Sequence, residues 1–165
     1  MKVLNVCCFS ILLMLNVYGA SRTELLNLEE DAVVFGQGPN QVYAFVDPMC
    51  SKSKDYIALI STQKKLLKQN TYYVFLHRLE KFKSDKVINY IYEVNNPKEA
   101  LLEVMVDDKE LTSEHLLNTV KAKRHRIDTV ADSTGMTRRP YLLIYPAGSN
   151  ICKVSEGSAP CMLDW

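Results

Sequence analysis

The chain has 165 residues, of which 20 are Lys or Arg and 19 are Asp or Glu, so its formal net charge is +1. This balance provides no general attraction for nucleic acid, and we expect no nucleic-acid partner. Hydrophobic residues make up 47% of the chain, which suits one domain with an ordinary core.

The first 19 residues have the pattern of a secretory signal peptide. Lys2 precedes an uncharged apolar run over 3–17, and the small residues Gly19 and Ala20 follow it. The alternative is a membrane anchor, but the run is shorter than the ~20 residues that cross a bilayer. We therefore expect residues 1–19 to be a signal peptide, with cleavage after Gly19 or Ala20.

The predicted elements are one leading segment and one domain. Residues 20–40 form a lead-in with a short helical or irregular stretch, and residues 41–165 form the domain. In the first half of the domain, runs of apolar and β-branched residues predict strands. A segment with apolar residues on one helical face and lysines on the other predicts a helix. These elements are a strand over 42–46, a helix over 51–68 and a strand over 71–76.

Helical spacing dominates the middle of the chain, and a hairpin follows it. The predicted helices are one over 87–94, one capped by Asn96 with Pro97 at its first position, and one from Thr112 or Ser113 to a C-cap at Gly135. Strands over 141–145 and 150–155 form the hairpin, and Pro160 is in position to start a last helix. The order of elements indicates a mixed α/β domain.

The cysteines left after signal cleavage are odd in number. Removal of residues 1–19 leaves Cys50, Cys152 and Cys161 in an oxidising compartment, so one thiol is free or pairs with another molecule. A Cys152–Cys161 disulfide would contribute roughly 2–3 kcal/mol if the Cα atoms come within about 7 Å. The alternative is two separate buried thiols. We expect the bridge and a free Cys50.

Cys50 occupies a position at which a reactive thiol is expected. The strand over 42–46 leads into Asp47-Pro48, and Cys50 then begins the amphipathic helix. The positive end of a helix dipole favours a thiolate, and the nearby Lys52 and Lys54 add positive charge. Redox proteins usually place a second cysteine three residues later, where this chain has Ser53. The alternative is that Cys50 is a small residue in a scaffold without redox chemistry.

Two other groups of residues are predicted to be structural. The basic run over 121–126 has acidic neighbours and is expected to be a solvated helix face. His77, His115 and His125 are scattered, without the spacing of metal ligands, and none is next to Cys50 in the sequence. We therefore expect no metal, no cofactor and no Cys–His pair.

Three segments, in order, resemble the bacterial periplasmic disulfide isomerases of the DsbC/DsbG type. FVDPMCSKSK is similar to their strand, Asp-Pro-x-Cys-x-x-Cys motif and helix start, and YIYEVNNPKEALLEVM to their helical insert. STGMTRRPYLLIYPAG is similar to their Gly-x-x-Gly-Thr-Pro strand with its cis-proline. The resemblance covers roughly 33–165. It implies a thioredoxin-like α/β fold, in which helices flank a central mixed sheet and a helical insertion is present.

The resemblance also implies roles for single residues. Cys50 matches the attacking cysteine, and Ser53 occupies the place of the resolving cysteine, where its hydroxyl is expected to stabilise the thiolate. Pro140 matches the cis-proline that holds the substrate backbone, and Arg139 replaces the usual threonine before it. Without a second thiol, net oxidation or reduction requires an outside thiol, whereas isomerisation does not.

Two functions remain open at this point. The first is an exported, periplasmic thiol–disulfide interchange protein, isomerase-like, that acts through one cysteine on disulfide-containing or unfolded exported proteins. The alternative is a redox-inactive scaffold whose groove around Pro140 binds a peptide or a partner in an envelope, secretion or conjugation assembly. No segment matches the family's N-terminal dimerisation domain, so we expect a monomer.

Overall fold

A five-stranded mixed sheet forms the centre of the protein. The computed structural model describes residues 20–157, so the predicted signal peptide, the predicted last helix and Cys161 lie outside the described residues. The strands are β1 (Val33–Phe35), β2 (Asn40–Val46), β3 (Asn70–Leu76), β4 (Tyr141–Tyr145) and β5 (Lys153–Glu156). Their order in the sheet is β1-β3-β2-β4-β5; β2 and β3 are parallel, and the other neighbours are antiparallel.

Helices flank this sheet, and three of them are inserted between β3 and β4. The helices are α1 (Arg22–Leu28), α2 (Ser51–Thr62), α3 (Lys64–Gln69), α4 (Asp85–Glu93), α5 (Pro97–Met105) and α6 (Asn118–Ser133). The insertion consists of α4, α5 and α6. In the described part of the chain, no helix combines the length and apolar character needed to cross a bilayer.

The central strand β2 is buried along most of its length. It lies between β3 and β4, and its five residues from Val42 to Val46 are all buried. A strand covered on both faces has a continuous apolar run instead of alternating polar and apolar residues, and this run is what the sequence shows. Phe45 packs against Phe75 of β3 with ring centroids 5.1 Å apart.

The lead-in packs onto the same core. Ser21 and Glu24 form a capping box that starts α1, and Leu25 and Leu28 of this helix are buried. The strand β1 pairs with β3 and so joins the central sheet. The predicted lead-in and the predicted domain therefore contribute strands to the same sheet.

Two predicted helices differ from the observed ones. The helix expected over 51–68 is divided into α2 and α3, because Gln63 has extended backbone angles. The helix expected from Thr112 or Ser113 begins only at Asn118. Ser113 Oγ accepts a hydrogen bond from the N–H of His115, a local contact that competes with helix formation.

Other local predictions hold, with one shift at the last strand. Asn96 Oδ1 accepts a hydrogen bond from the N–H of Glu99, and Pro97 is the first residue of α5. Gly135 follows α6 with a φ of 67°, as a C-cap glycine does. The last strand begins at Lys153 rather than Asn150. The N–H of Ile151 donates a hydrogen bond to Ser149 Oγ, and this local contact keeps the residues before Lys153 in a turn.

The basic run over 121–126 is not simply a solvated face. Arg126 donates two hydrogen bonds of 2.7 Å to the buried carboxylate of Asp31, which links α6 to the lead-in. Arg124 pairs with Asp85 and donates to Asn89 Oδ1 at 2.6 Å, which links α6 to α4. The expectation of a solvated face therefore holds for the exposed Arg126 but not for Arg124, which is only partly exposed. The interpretation missed both ion pairs because the partners are remote in sequence.

Candidate functional site

Cys50 lies at the N-terminus of α2, directly after the central strand. Its backbone N–H donates to the carbonyl of Asp47 at 3.0 Å, and its carbonyl accepts from the N–H of Lys54 at 3.0 Å. The first contact closes a tight turn and the second begins the helix. The first turn of α2 has no acidic residue, so no carboxylate there offsets the positive end of the dipole.

The peptide bond between Arg139 and Pro140 is cis, and it lies beside Cys50. The thiol of Cys50 donates to the carbonyl oxygen of Arg139, with 3.7 Å between Sγ and the oxygen. The antiparallel pairing of β2 with β4 explains this proximity, because it places Tyr141 opposite Phe45. The prediction of a cis Pro140, which the family resemblance implies, is therefore confirmed.

Asp47 organises the turn that presents the thiol. Its fully buried carboxylate accepts hydrogen bonds from the N–H of Met49 at 2.8 Å and of Leu79 at 2.5 Å, and from Ser84 Oγ at 3.0 Å. These contacts tie the turn before α2 to the segment that follows β3. Sequence reasoning did not assign this role, although an Asp-Pro pair directly after a buried strand is a turn signal.

Ser53 is fully buried and also meets Asp47. Its Oγ accepts a hydrogen bond from the N–H of Asp47 at 3.3 Å. Positions 50 and 53 thus converge on the same residue at the end of β2. The described partner of Ser53 is a backbone N–H, and its action on the Cys50 thiolate stays a prediction.

Arg139 is a buried cation next to Cys50. Only 3% of the residue is exposed, and Nη1 donates to the carbonyl of Arg138 at 2.9 Å. Its buried Nε has no hydrogen-bond partner within the described residues. Burial lowers the pKa of Arg139, and the negative charge of Asp47 opposes this shift. The residue whose main-chain oxygen meets the thiol therefore also has a buried guanidinium with an unsatisfied N–H donor.

Cys50 opens onto a cleft of about 690 Å³. Its walls are the start of α2, the segment after β3, and the end of α6 with the loop that leads to Pro140. The lining residues are Cys50, Ser51, Lys52, His77, Arg78, Leu79, Glu80, Lys81, Phe82, Asp132, Met136, Thr137, Arg138, Arg139 and Gly157. Five of them are Lys or Arg, and two are carboxylates.

His77 lies on this cleft, although it is far from Cys50 in the sequence. It follows β3 as Asp47 follows β2, and the parallel pairing of these strands brings their carboxyl ends to one edge of the sheet. Nδ1 of His77 is 2.8 Å from Asp128 Oδ1, so its described hydrogen bond is not to Cys50. Separation in sequence was therefore a poor guide to its position.

Glu156 anchors the loop before Pro140. Its Oε1 accepts from the N–H groups of Thr137 at 2.5 Å and Arg138 at 2.7 Å, and from the hydroxyl of Thr137 at 3.1 Å. Burial raises the pKa of Glu156, but these hydrogen bonds outweigh that effect and leave the pKa below its ordinary value. Strand β5 thus supports the wall of the cleft. No feature of the sequence alone indicated this contact.

Cys152 is not among the residues that line the cleft. It is half-buried before β5, and burial raises the pKa of its thiol. Because Cys161 lies outside the described residues, the Cys152–Cys161 bridge stays a prediction. Within residues 20–157, no cluster of three or more His, Cys, Asp or Glu could hold a metal ion.

Comparisons with known proteins identify the fold through solved structures. No protein-family model and no curated protein matches the sequence. A disulfide interchange protein from Neisseria gonorrhoeae has a TM-score of 0.62 and 15% identity, over 82% of this chain and 91% of that one. The catalytic domain of Proteus mirabilis ScsC has a TM-score of 0.60 and 11% identity, over 84% and 91%.

A third solved structure has the same architecture. Pseudomonas aeruginosa DsbA2 has a TM-score of 0.52 and 11% identity, over 78% of this chain and 87% of that one. Such low identities show the fold alone. This chain therefore has a thioredoxin-like α/β fold, with helices around a central mixed sheet and a helical insertion, as the sequence predicts.

Proposed function

We propose that the protein is an exported thiol–disulfide interchange protein, isomerase-like, that acts through Cys50. The observation that carries this proposal is the position of the Cys50 thiol, at a helix N-terminus, 3.7 Å from the carbonyl before cis-Pro140 and on an open cleft. The solved structures of this fold include one named as a disulfide interchange protein, which supports the same class of chemistry.

The reaction requires one nucleophilic sulfur. The Cys50 thiolate attacks one sulfur of a substrate disulfide; the substrate S–S bond breaks, a Cys50–substrate disulfide forms, and the other substrate sulfur leaves as a thiolate. A second substrate thiolate then attacks the substrate sulfur bound to Cys50. A new substrate disulfide forms, Cys50 leaves as a thiolate, and no net oxidation or reduction occurs.

The neighbouring groups would favour both steps. Cys50 is a leaving group in the second step, and the positive end of α2 stabilises its thiolate. Arg139, which also lines the cleft, would add the positive charge of its guanidinium to the site. Pro140, directly before β4, would hold the substrate backbone against the cleft, as the resemblance to the DsbC/DsbG type implies. Ser53 cannot expel the substrate, so the protein would depend on the thiols of its substrate or on an outside thiol.

The same proposal includes the compartment and the partners. The protein would be exported to the periplasm as a monomer, where it would meet disulfide-containing or unfolded exported proteins. Size-exclusion chromatography with light scattering tests the monomer, for which the expected mass is that of one chain. A dimer mass would contradict this part of the proposal without affecting the chemistry at Cys50.

The decisive experiment measures covalent capture and shuffling. Purified protein is incubated with ribonuclease that has scrambled disulfides, in a glutathione buffer, and the recovery of native ribonuclease is followed. We expect recovery above the buffer background and a trapped mixed disulfide on Cys50. Cys50→Ala should abolish both, whereas the double variant Cys152→Ala/Cys161→Ala, which removes the predicted bridge and leaves Cys50 as the one cysteine of the mature chain, should retain both. Equal recovery with wild type and Cys50→Ala would contradict the proposal.

One observation favours the alternative, a redox-inactive scaffold that binds a peptide or a partner in an envelope, secretion or conjugation assembly. Only 7% of Cys50 is exposed, and position 53 is engaged with the backbone of Asp47. Alkylation distinguishes the two functions. A scaffold predicts that iodoacetamide labels Cys50 of the native protein no faster than a buried thiol, and that partner binding survives Cys50→Ala.

A further inference from the structure

The cleft at Cys50 is much more positive than the protein as a whole. Its lining includes Lys52, Arg78, Lys81, Arg138 and Arg139, against the carboxylates of Glu80 and Asp132. The whole chain, in contrast, has 20 basic and 19 acidic residues. The positive charge at the cleft is therefore a consequence of the fold and does not reflect a basic chain.

Most of these cations have no internal carboxylate partner. Arg78 pairs with Asp85 at 3.4 Å, and the two side chains are 49% and 43% exposed. Within residues 20–157, Lys52, Lys81 and Arg138 form no ion pair. Unpaired cations around a concave site raise the local concentration of anions and speed their association.

Arg139 adds an unsatisfied donor to this charge. Its Nε is buried and has no partner among the described residues. A buried N–H without an acceptor is costly, and most such groups find a partner. Because this atom is closed to solvent, a ligand in the cleft would be attracted by the charge of the guanidinium and not by a hydrogen bond to Nε.

We infer that this cleft selects disulfides that carry carboxylates near the reacting sulfur. The inference rests on the proposed function, because it names the substrate class of the same thiol. Cys50 attacks the nearer sulfur and forms the mixed disulfide, and the carboxylate-bearing half that is not retained leaves as a thiolate. The carboxylates could belong to an acidic polypeptide segment or to a small dicarboxylate disulfide, and both present the same anionic chemistry.

The test compares disulfides of different charge. Purified protein reacts at low ionic strength with dithiodiglycolate, 2-hydroxyethyl disulfide or cystamine, which are anionic, neutral and cationic. Peptide mass spectrometry measures the adduct at Cys50, and each rate is divided by that of thioglycerol, a neutral thiol, with the same disulfide. We expect the normalised rate to be about tenfold or more higher for the anionic than for the cationic disulfide. Added salt should reduce this ratio, because it screens the cleft.

Charge reversal supplies the matched control. Lys81→Glu should lower the ratio several-fold, since Lys81 lines the cleft. Lys121→Glu makes the same change on an exposed lysine of α6 outside the cleft lining, and should leave the ratio unchanged.

A second arm of the test uses disulfide peptides that have either Glu or Gln on both sides of the cysteine. A Glu preference larger than that for the small anion indicates a polypeptide substrate, and a preference no larger indicates a small disulfide.

Failure of the inference and failure of the proposed function give different results. Adducts that form on Cys50 at equal normalised rates for all three disulfides would overturn the inference and leave the interchange chemistry intact. No adduct on Cys50 with any of them would overturn the proposed function, and the inference with it.

Discussion

The Sγ of Cys50 lies 3.7 Å from the main-chain oxygen of Arg139, although 89 residues separate the two along the chain. The register of β2 against β4 produces this contact, because it aligns the end of one strand with the start of the other. The thiol and cis-Pro140 are thus placed by the sheet, whereas the helix start that exposes Cys50 to the dipole is local. The predictions below test what this arrangement does.

Replacing Ser53 by Cys should restore a dithiol. Positions 50 and 53 both contact Asp47, so the new thiol would lie on the Cys50 side of α2. Under oxidation we expect a disulfide between Cys50 and the thiol introduced at position 53, and a gain in insulin reduction over wild type, measured by turbidity. Ser51→Cys is the matched control, because adjacent helix positions do not face each other. An equal gain in both variants would show that the position of the new thiol does not matter.

Glu156→Ala should loosen the loop that leads to Pro140. The variant removes three hydrogen bonds to one carboxylate oxygen, and we expect a loss of about 1 kcal/mol in the free energy of unfolding. Because the folded pKa of Glu156 lies below its ordinary value of 4.5, its contribution is present above that pH and is lost as the pH falls through the folded pKa. Urea titrations at neutral and acidic pH measure both effects. A stability difference that is unchanged at low pH would contradict this role.

Arg126→Ala should destabilise the protein although Arg126 itself is largely exposed. The change leaves the buried Asp31 carboxylate without its two-point partner, and we expect a loss of about 2 kcal/mol. Lys121→Ala on the same helix should cost less than about 0.5 kcal/mol. Urea denaturation measures both variants. Similar values would show that the pair with Asp31 contributes little.

The predicted Cys152–Cys161 bridge can be tested by alkylation. Mature protein is unfolded without reductant and treated with iodoacetamide, and its peptides are then analysed by mass spectrometry. We expect label on Cys50 alone. Reduction should lower the free energy of unfolding by roughly 2–3 kcal/mol, because it releases a short closed loop. Label on all three cysteines would show that the pair is not bridged.

Export can be tested by N-terminal sequencing of protein recovered from the periplasmic fraction. The pattern of Lys2, the apolar run over 3–17 and the small residues after it predicts a mature chain that starts at Ala20 or Ser21. Substituting both Gly19 and Ala20 by Leu should slow cleavage at either position, because the signal peptidase site requires a small residue directly before the cut. Protein with an intact Met1 in the membrane fraction would contradict the prediction.

The sequence by itself determined the features that depend on neighbouring residues. The burial of β2 follows from its continuous apolar run, and the start of α5 follows from the Asn96 cap with Pro97 behind it. The position of Cys50 at a helix N-terminus was also predictable. Caps, turns and periodicity act over a few residues, so a short segment contains the information that decides them.

Only the tertiary structure decided which distant residues meet at the cleft. His77 and Arg139 reach it, and Glu156 supports its wall, because strand register and the packing of β5 and α6 place them there. Leu116 and Leu117, just before α6, are exposed, although apolar residues at such positions predict a buried helix face. The spacing of apolar residues predicts whether a segment is a helix or a strand. Whether one of its faces is buried depends on other helices and strands that are distant in the sequence.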